Sequence, residues 1–140
     1  MKRLPLLSGV AVSLEGASGP LPIRGSSGKL QQVFLNLFLN ARDAMESNNG
    51  HPRKLCVTVT AAKGATLARV MVEDSGKGID SHALPRVFDP FFTTKGAKKG
   101  TGLGLAITYG IVREHGGTIE AASRAGEGAR FTIEFPLIRQ

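Results

Sequence analysis

The stretch Leu30–Met45, LQQVFLNLFLNARDAM, decides how the rest of the chain is read. Leu30, Val33, Phe34, Leu37, Ala41, Ala44 and Met45 recur at three- and four-residue spacing, the period of one buried helix face. Asn36, Asn40 and Asp43 recur at the same spacing on a second, polar stripe. Asn is a mediocre helix former, because its amide competes for nearby backbone groups. Two of them one turn apart inside an apolar pattern need an explanation. Two readings stand: a solvated face, which the helix alone favours, or a pair of amides facing a ligand.

On the N-terminal side, Val10, Val12 and Leu14 alternate with small or polar residues, which predicts a first strand. A turn at Gly16–Pro20 leads to a possible short strand at Leu21–Arg24, and Ser26 or Ser27 supplies the helix N-cap. The helix stops near SNNGHP, Ser47–Pro52. Leu55–Ala62 and Thr66–Asp74 are alternating, β-branched-rich runs that read as an antiparallel hairpin. A short helix is expected over Ser81–Phe88, limited by Pro85, and then a long loop over Phe88–Gly100. A second helix follows over about Gly102–His115, with Thr101 as cap and Gly116 as the C′ residue. Thr118–Ala122 and Phe131–Phe135 close the chain as a hairpin, with Phe131, Ile133 and Phe135 facing one way. The order predicts one α+β domain over 1–140: a two-layer sandwich, its mixed, mostly antiparallel sheet covered on one face by helices.

The 140 residues are enough for an ordinary core, and 41% apolar with 21% charged residues suits a globular protein. The net charge of +7 points to an anionic partner. Nucleic acid fits poorly, because there is no Trp, one Tyr, and no basic run interleaved with aromatics. Lys95, Lys98 and Lys99 sit beside a glycine-rich run, which suits a small phosphate ligand better. The single Cys56 excludes an internal disulfide and reads as a small core residue. Lys2 and Arg3 before an apolar stretch resemble a secretory signal in outline, but Pro5, Ser8 and Gly9 interrupt it. No stretch is long enough to span a membrane, and the expected location is cytoplasmic, within a parent that can be membrane-anchored.

Asp74 ends a hydrophobic strand and leads into Gly76 and Gly78. A carboxylate there can accept from an exocyclic amine such as that of adenine, and the glycines let backbone approach a flat ring; a plain Asp-containing turn is the alternative. Gly100-Thr101-Gly102-Leu103-Gly104-Leu105 is a glycine-rich entry to a helix, whose free N–H groups and positive dipole end favour phosphate. It is neither a P-loop nor a dinucleotide fingerprint. Asn36 and Asn40 carry neutral oxygens suited to a Mg²⁺ whose other ligands are water and phosphate.

Taken together, NLFLNARDA at 36–44, DSGKGI at 74–79, FDPFFTTK at 88–95 and GTGLGLAI at 100–107 resemble the ATP-binding catalytic domain of sensor histidine kinases. The third motif is similar to the nitrogen-regulation type. The resemblance covers Val10–Pro136 and implies the Bergerat-type ATP-binding fold, shared with gyrase, MutL-type repair proteins and large heat-shock chaperones. It implies that Asn40 binds Mg²⁺ bridging the ATP phosphates, and that Asp74 binds the adenine amine. Gly76 and Gly78 would shape the adenine pocket, with Asp43, Ile79 and Leu103 also counted at the nucleotide. Phe88–Lys99 would form a lid that brings its lysines to the phosphates, and Gly100, Thr101, Gly102 and Gly104 would place the second helix on them. Thr132 would either hold adenine or simply point outward from its strand.

Hydrolysing members of that superfamily carry a Glu general base one turn before the Mg²⁺-binding Asn. Here the position is Asn36, which cannot take a proton, and this favours phosphoryl transfer over hydrolysis. His51, His82 and His115 all lack the helical, acidic context of a phosphoacceptor. The acceptor is therefore expected on a separate dimerisation domain of a homodimeric parent, with a response regulator downstream. A regulatory ATP-binding module and an anti-sigma-type serine kinase are the alternatives.

Overall fold

The structure is a computed structural model that describes residues 9–16, 19–46, 52–62, 64, 66–90, 103–123 and 126–138. Ser26 opens helix α1 (Ser27–Ala44), its hydroxyl accepting from the Lys29 N–H at 3.3 Å while Met45 closes it. Val33, Leu37, Ala41 and Met45, spaced four apart, are buried to within 2% of full burial. Strands β1 (Ala11–Gly16), β2 (Lys54–Ala62), β3 (Leu67–Asp74), β4 (Thr118–Ser123) and β5 (Ala129–Pro136) form one sheet in the order β1-β2-β3-β5-β4. Only β1 and β2 run parallel, because α1 is the crossover that connects them. The other neighbours are antiparallel, as in the sandwich expected from the element order.

Alternation sets the two faces of the sheet. Leu55, Val57, Val70, Val72, Phe131, Ile133 and Phe135 are buried against α1 and against Ile111 and Val112 of helix α2 (Gly104–Glu114). Helix α2 ends in a Schellman-type closure. Gly117 N–H donates to Val112 C=O at 2.9 Å and Gly116 N–H to Arg113 C=O at 3.0 Å, with Gly116 at φ +72°. The α1 N-terminus lies against the α2 C-terminus, where Lys29 meets Glu114 at 3.1 Å, so the two helices run antiparallel. No described helix is long and apolar enough to cross a membrane.

Four expectations need correction. The Leu21–Arg24 strand reduces to a single bridge, Ile23 to Leu137. The helix over Ser81–Phe88 reduces to one 3₁₀ turn, Leu84–Arg86, because Pro85 contributes no N–H and Asp80 draws off the His82 and Ala83 amides at 2.9 Å. Helix α2 takes Leu103 as its N-cap residue; Thr101, the expected cap, lies outside the described residues. Cys56 is half-buried on the open face, 3.8 Å from the Thr58 hydroxyl, since Leu55 and Val57 take the core-facing parity. The expected first strand forms as β1; its Leu14 pairs with core-facing Val57 but sits on the sheet edge and is 74% exposed.

Candidate functional site: the polar stripe of the first helix

Asp74 is the last residue of β3, between Leu55 on one side and Ala129 on the other. Burial pushes its carboxyl above the ordinary carboxylate value, while the N–H groups of Gly76 and Ala129 pull the other way. The Gly76 bond is 2.8 Å. Gly76 must be glycine for a packing reason: a Cβ there would lie 2.6 Å from the Ala44 carbonyl oxygen. Lys77 N–H donates to that same carbonyl at 2.9 Å, so the turn sits directly on the end of α1. Gly78 has φ +74°, a conformation that favours glycine, and Ile79 N–H donates to the Ser123 hydroxyl at 2.7 Å.

The other end of the polar stripe meets α2. Asn36 Nδ2 donates to the Gly104 carbonyl at 3.2 Å and to the Thr108 hydroxyl at 3.3 Å. Thr108 has no exposed surface, and it stands among apolar residues on the inward side of α2. Among the described residues no side chain caps the start of α2, and a helix start of this kind can offer N–H groups to an anionic ligand. From Asn36 to Ala44 the axis of α1 advances about 12 Å. One helix face therefore joins the Asp74 turn to the start of α2.

Asn40 lies between these ends, half-buried, and among the described residues its amide has no intramolecular partner. Asp43 lies one turn further on, beside the Arg42 guanidinium at 3.3 Å. A Mg²⁺ holding one neutral amide oxygen, with phosphate and water as its other ligands, fits this donor set. Among the described residues no three His, Cys, Asp or Glu side chains converge into a protein-only metal cage. Phe88 fixes the start of the expected lid, stacking 5.5 Å from Tyr109 and edge-on 6.2 Å from Phe131.

Lys95, Lys98, Lys99, Gly100, Thr101 and Gly102 lie outside the described residues. Leu103 and Gly104 open α2 as the glycine-rich entry requires. Thr132 does not join the group. It pairs with Met71 and Glu120, on the face opposite the buried Phe131 and Ile133, so its side chain points outward from the sheet. Sequence reasoning missed Thr108, Ser123 and Gly128. Only Thr108 left a local signal, as a polar residue at helical spacing from Ile111 and Val112 on the apolar face.

The sequence profile of the family described as "Histidine kinase-, DNA gyrase B-, and HSP90-like ATPase" matches residues 25–139. The chain belongs to this family. Within this ATPase family it is 44% identical over 122 residues to the sensor histidine kinase ZraS of Escherichia coli O157:H7, covering 86% of this chain and 25% of ZraS. It is 43% identical over 116 residues to the two-component sensor PprA of Pseudomonas aeruginosa, covering 82% of this chain and 12% of PprA. The chain thus spans a quarter or less of those relatives. The catalytic domain of histidine kinase ThkA superposes with a TM-score of 0.76 at 33% identity, covering 91% of this chain and 80% of that one. Full-length ShkA in complex with AMPPNP superposes with a TM-score of 0.79 at 31% identity, covering 97% of this chain and 28% of that one. Both the two-layer α+β architecture and the sensor-kinase resemblance of the four motifs agree with these matches.

Proposed function

We propose that this domain binds Mg-ATP and donates the γ-phosphoryl group to a histidine outside this chain, in a two-component relay. The observation that carries the reading is the α1 stripe, which runs from Asn36 at the first turn of α2, through Asn40, to the Asp74 turn. In this reading the Asp74 carboxylate accepts from the adenine amine, and Gly76, Gly78 and Ile79 bound the pocket beside it. Asn40, with Asp43 one turn away, would hold Mg²⁺, which neutralises phosphate charge when bound. Lys95, Lys98, Lys99, Gly100, Thr101, Gly102, Leu103 and Gly104 are assigned to the phosphates.

Asn36 supports transfer over hydrolysis. An amide cannot act as general base toward water, and this one is already engaged with α2. In the transfer, an acceptor imidazole nitrogen attacks the γ-phosphorus, and the bond from that phosphorus to the bridging oxygen breaks. ADP leaves with the electron pair, and the second ring nitrogen gives its proton to solvent. Both ring nitrogens of His115 are engaged within the fold, which supports an acceptor other than His115; in this reading that acceptor lies on another domain of a homodimeric protein, with a response regulator next in line. The parent would present this domain to the cytoplasm.

The experiment supplies γ-labelled ATP and Mg²⁺ to this chain together with a histidine-bearing dimerisation domain. Label on that histidine is expected. ATP binding without transfer would replace the kinase reading with a regulatory module, and label on a partner's serine would replace it with a serine kinase.

A further inference from the structure

Ser123, at the end of β4, uses its hydroxyl both as acceptor and as donor, linking the turn of the candidate adenine site to the β4–β5 connection. Its oxygen accepts from the Ile79 N–H at 2.7 Å, and its proton goes to the Gly128 carbonyl at 2.5 Å. The Gly128 carbonyl and the Ala129 N–H belong to one peptide plane. Ala129 is the cross-strand partner of Asp74, and its N–H is one of the groups that favour the charged form of the Asp74 carboxyl. Ser123 therefore grips the oxygen end of a rigid plate whose nitrogen end lies beside Asp74 across the sheet.

Nothing else in the neighbourhood lets that plate relax freely. Gly128 is buried at φ +82°, and a Cβ on it would collide with the Asp74 carbonyl oxygen. Ser123 and Ala129 are cross-strand partners on β4 and β5, and Ala129 pairs in turn with Asp74. On the far side of the turn, Gly126 N–H donates to the Lys77 carbonyl at 2.5 Å. Removing the Ser123 hydroxyl would take that donor from the Gly128 carbonyl, loosening the tilt of the peptide plane, and leave the Ile79 N–H without its acceptor.

We propose that Ser123 is a positioning residue for purine recognition: it orients the Gly128–Ala129 peptide and the Ile79 amide so that the Asp74 carboxylate meets an exocyclic 6-amine. This rests on the nucleotide reading above and adds to it a residue that touches no ligand. A device that acts through Asp74 makes a narrower demand than general stability of the hairpin. It should matter only for a base that carries the amine.

The test compares ATP with the triphosphate of purine riboside, which lacks the 6-amine, by calorimetry on the whole chain. Ser123→Ala should weaken ATP binding about three- to tenfold, the loss of one to two hydrogen-bond contributions. It should change binding of the amine-free nucleotide by less than about twofold, and Ser123→Thr, which keeps the hydroxyl, should restore ATP affinity. In an Asp74→Asn background the further effect of Ser123→Ala should also fall below about twofold, because the two residues act in series. If the alanine variant fails to fold, Ser123→Cys, a poorer acceptor of similar shape, should show the same split at smaller amplitude. Equal losses for both nucleotides, or full additivity with Asp74→Asn, would overturn the role of Ser123 while leaving nucleotide binding intact. A wild-type chain that binds neither triphosphate would overturn the nucleotide reading itself, and the role of Ser123 with it.

Discussion

Asn36 on α1 donates its side-chain amide to the hydroxyl of Thr108 on α2 at 3.3 Å, and Thr108 is wholly buried. The same nitrogen reaches the Gly104 carbonyl one turn earlier. A residue that the sequence resemblance would set where hydrolysing members of the superfamily carry a general base is thus also a clasp between the two helices. Its two roles can be separated by substitution.

Thr108→Val keeps the shape of the side chain and removes the acceptor. It should lower unfolding stability by about 1 kcal/mol, read from urea midpoints at constant m-value. Asn36→Glu should cost more, about 1–3 kcal/mol, because a carboxylate then faces a carbonyl and loses the donor. If water is well placed it should also raise ATP hydrolysis in steady-state phosphate release. Flat hydrolysis with retained ATP binding would mean that position 36 does not face the γ-phosphate.

Asp74 makes stability and binding respond to pH in opposite senses. Its folded-state carboxyl lies above the ordinary 3.8, chiefly through burial, so the folded chain holds that proton more tightly than the unfolded one. The contribution of this group is fully present below the unfolded value and is lost as pH rises through the folded value. Asp74→Asn should therefore stabilise the ligand-free domain at neutral pH, and the gain should vanish as pH falls below about 4. ATP binding should follow the reverse course, weakening as the wild-type carboxyl protonates. Urea titrations at a series of pH values check the first half; a gain that does not change with pH would contradict it.

Two glycines should give opposite signs when replaced by alanine. At Gly76 the new methyl meets the Ala44 carbonyl group at 2.6–2.7 Å and the Asp74 carboxylate at 2.8 Å, all of it fixed by the fold. Gly76→Ala should destabilise by about 1–3 kcal/mol and displace the turn that carries Asp74. Gly110 is exposed in α2, and a methyl added there would meet nothing within 4 Å, so Gly110→Ala should stabilise by about 0.5–1 kcal/mol. Thermal melts of the two variants beside the wild type decide the matter.

Periodicity alone makes most of the fold legible. The spacing of Val33, Leu37 and Ala41 and the alternation of Val70, Val72, Phe131 and Ile133 name the core directly, because each pattern reports which side is covered. The same parity also decides Cys56 and Thr132: both fall between core-facing neighbours, so both point to the open face. What periodicity cannot carry is the pairing of strands. Ser123, Gly128 and Asp74 come together only when β5 inserts between β3 and β4. Leu14 is exposed for a similar reason, since its alternation is correct but its strand lies at the edge of the sheet.

The basic segment Lys95–Lys99 is assigned to phosphate, which makes its effect depend on the ligand's charge. Replacing Lys95, Lys98 and Lys99 with alanine should weaken ATP binding by about tenfold or more and leave adenosine binding within about twofold. The ATP deficit should also shrink as salt is raised, because exposed charges are screened. Equal losses for ATP and adenosine in calorimetric titrations would remove the lysines from the phosphate site.

His115 gives a last contrast, between a histidine that can take a phosphoryl group and one that cannot. The Ser26 backbone N–H donates to its Nε2 at 3.0 Å, so that nitrogen must be the acceptor, and the ring proton sits on Nδ1 facing the Ile111 carbonyl at 2.7 Å. The ring also packs edge-on to Phe135 and against Gly25, tying the C-terminus of α2 to the N-cap of α1. His115→Phe keeps the ring and removes both nitrogens, and should cost about 1–2 kcal/mol in urea unfolding. Lys29→Ala, which breaks the exposed pair with Glu114 at the same junction, should cost less than about 0.5 kcal/mol. Because the lone pair on Nε2 is already committed, His115→Phe should still label a separate acceptor domain from γ-labelled ATP at close to the wild-type rate. Loss of that labelling in a variant that remains folded would place His115 in the transfer itself.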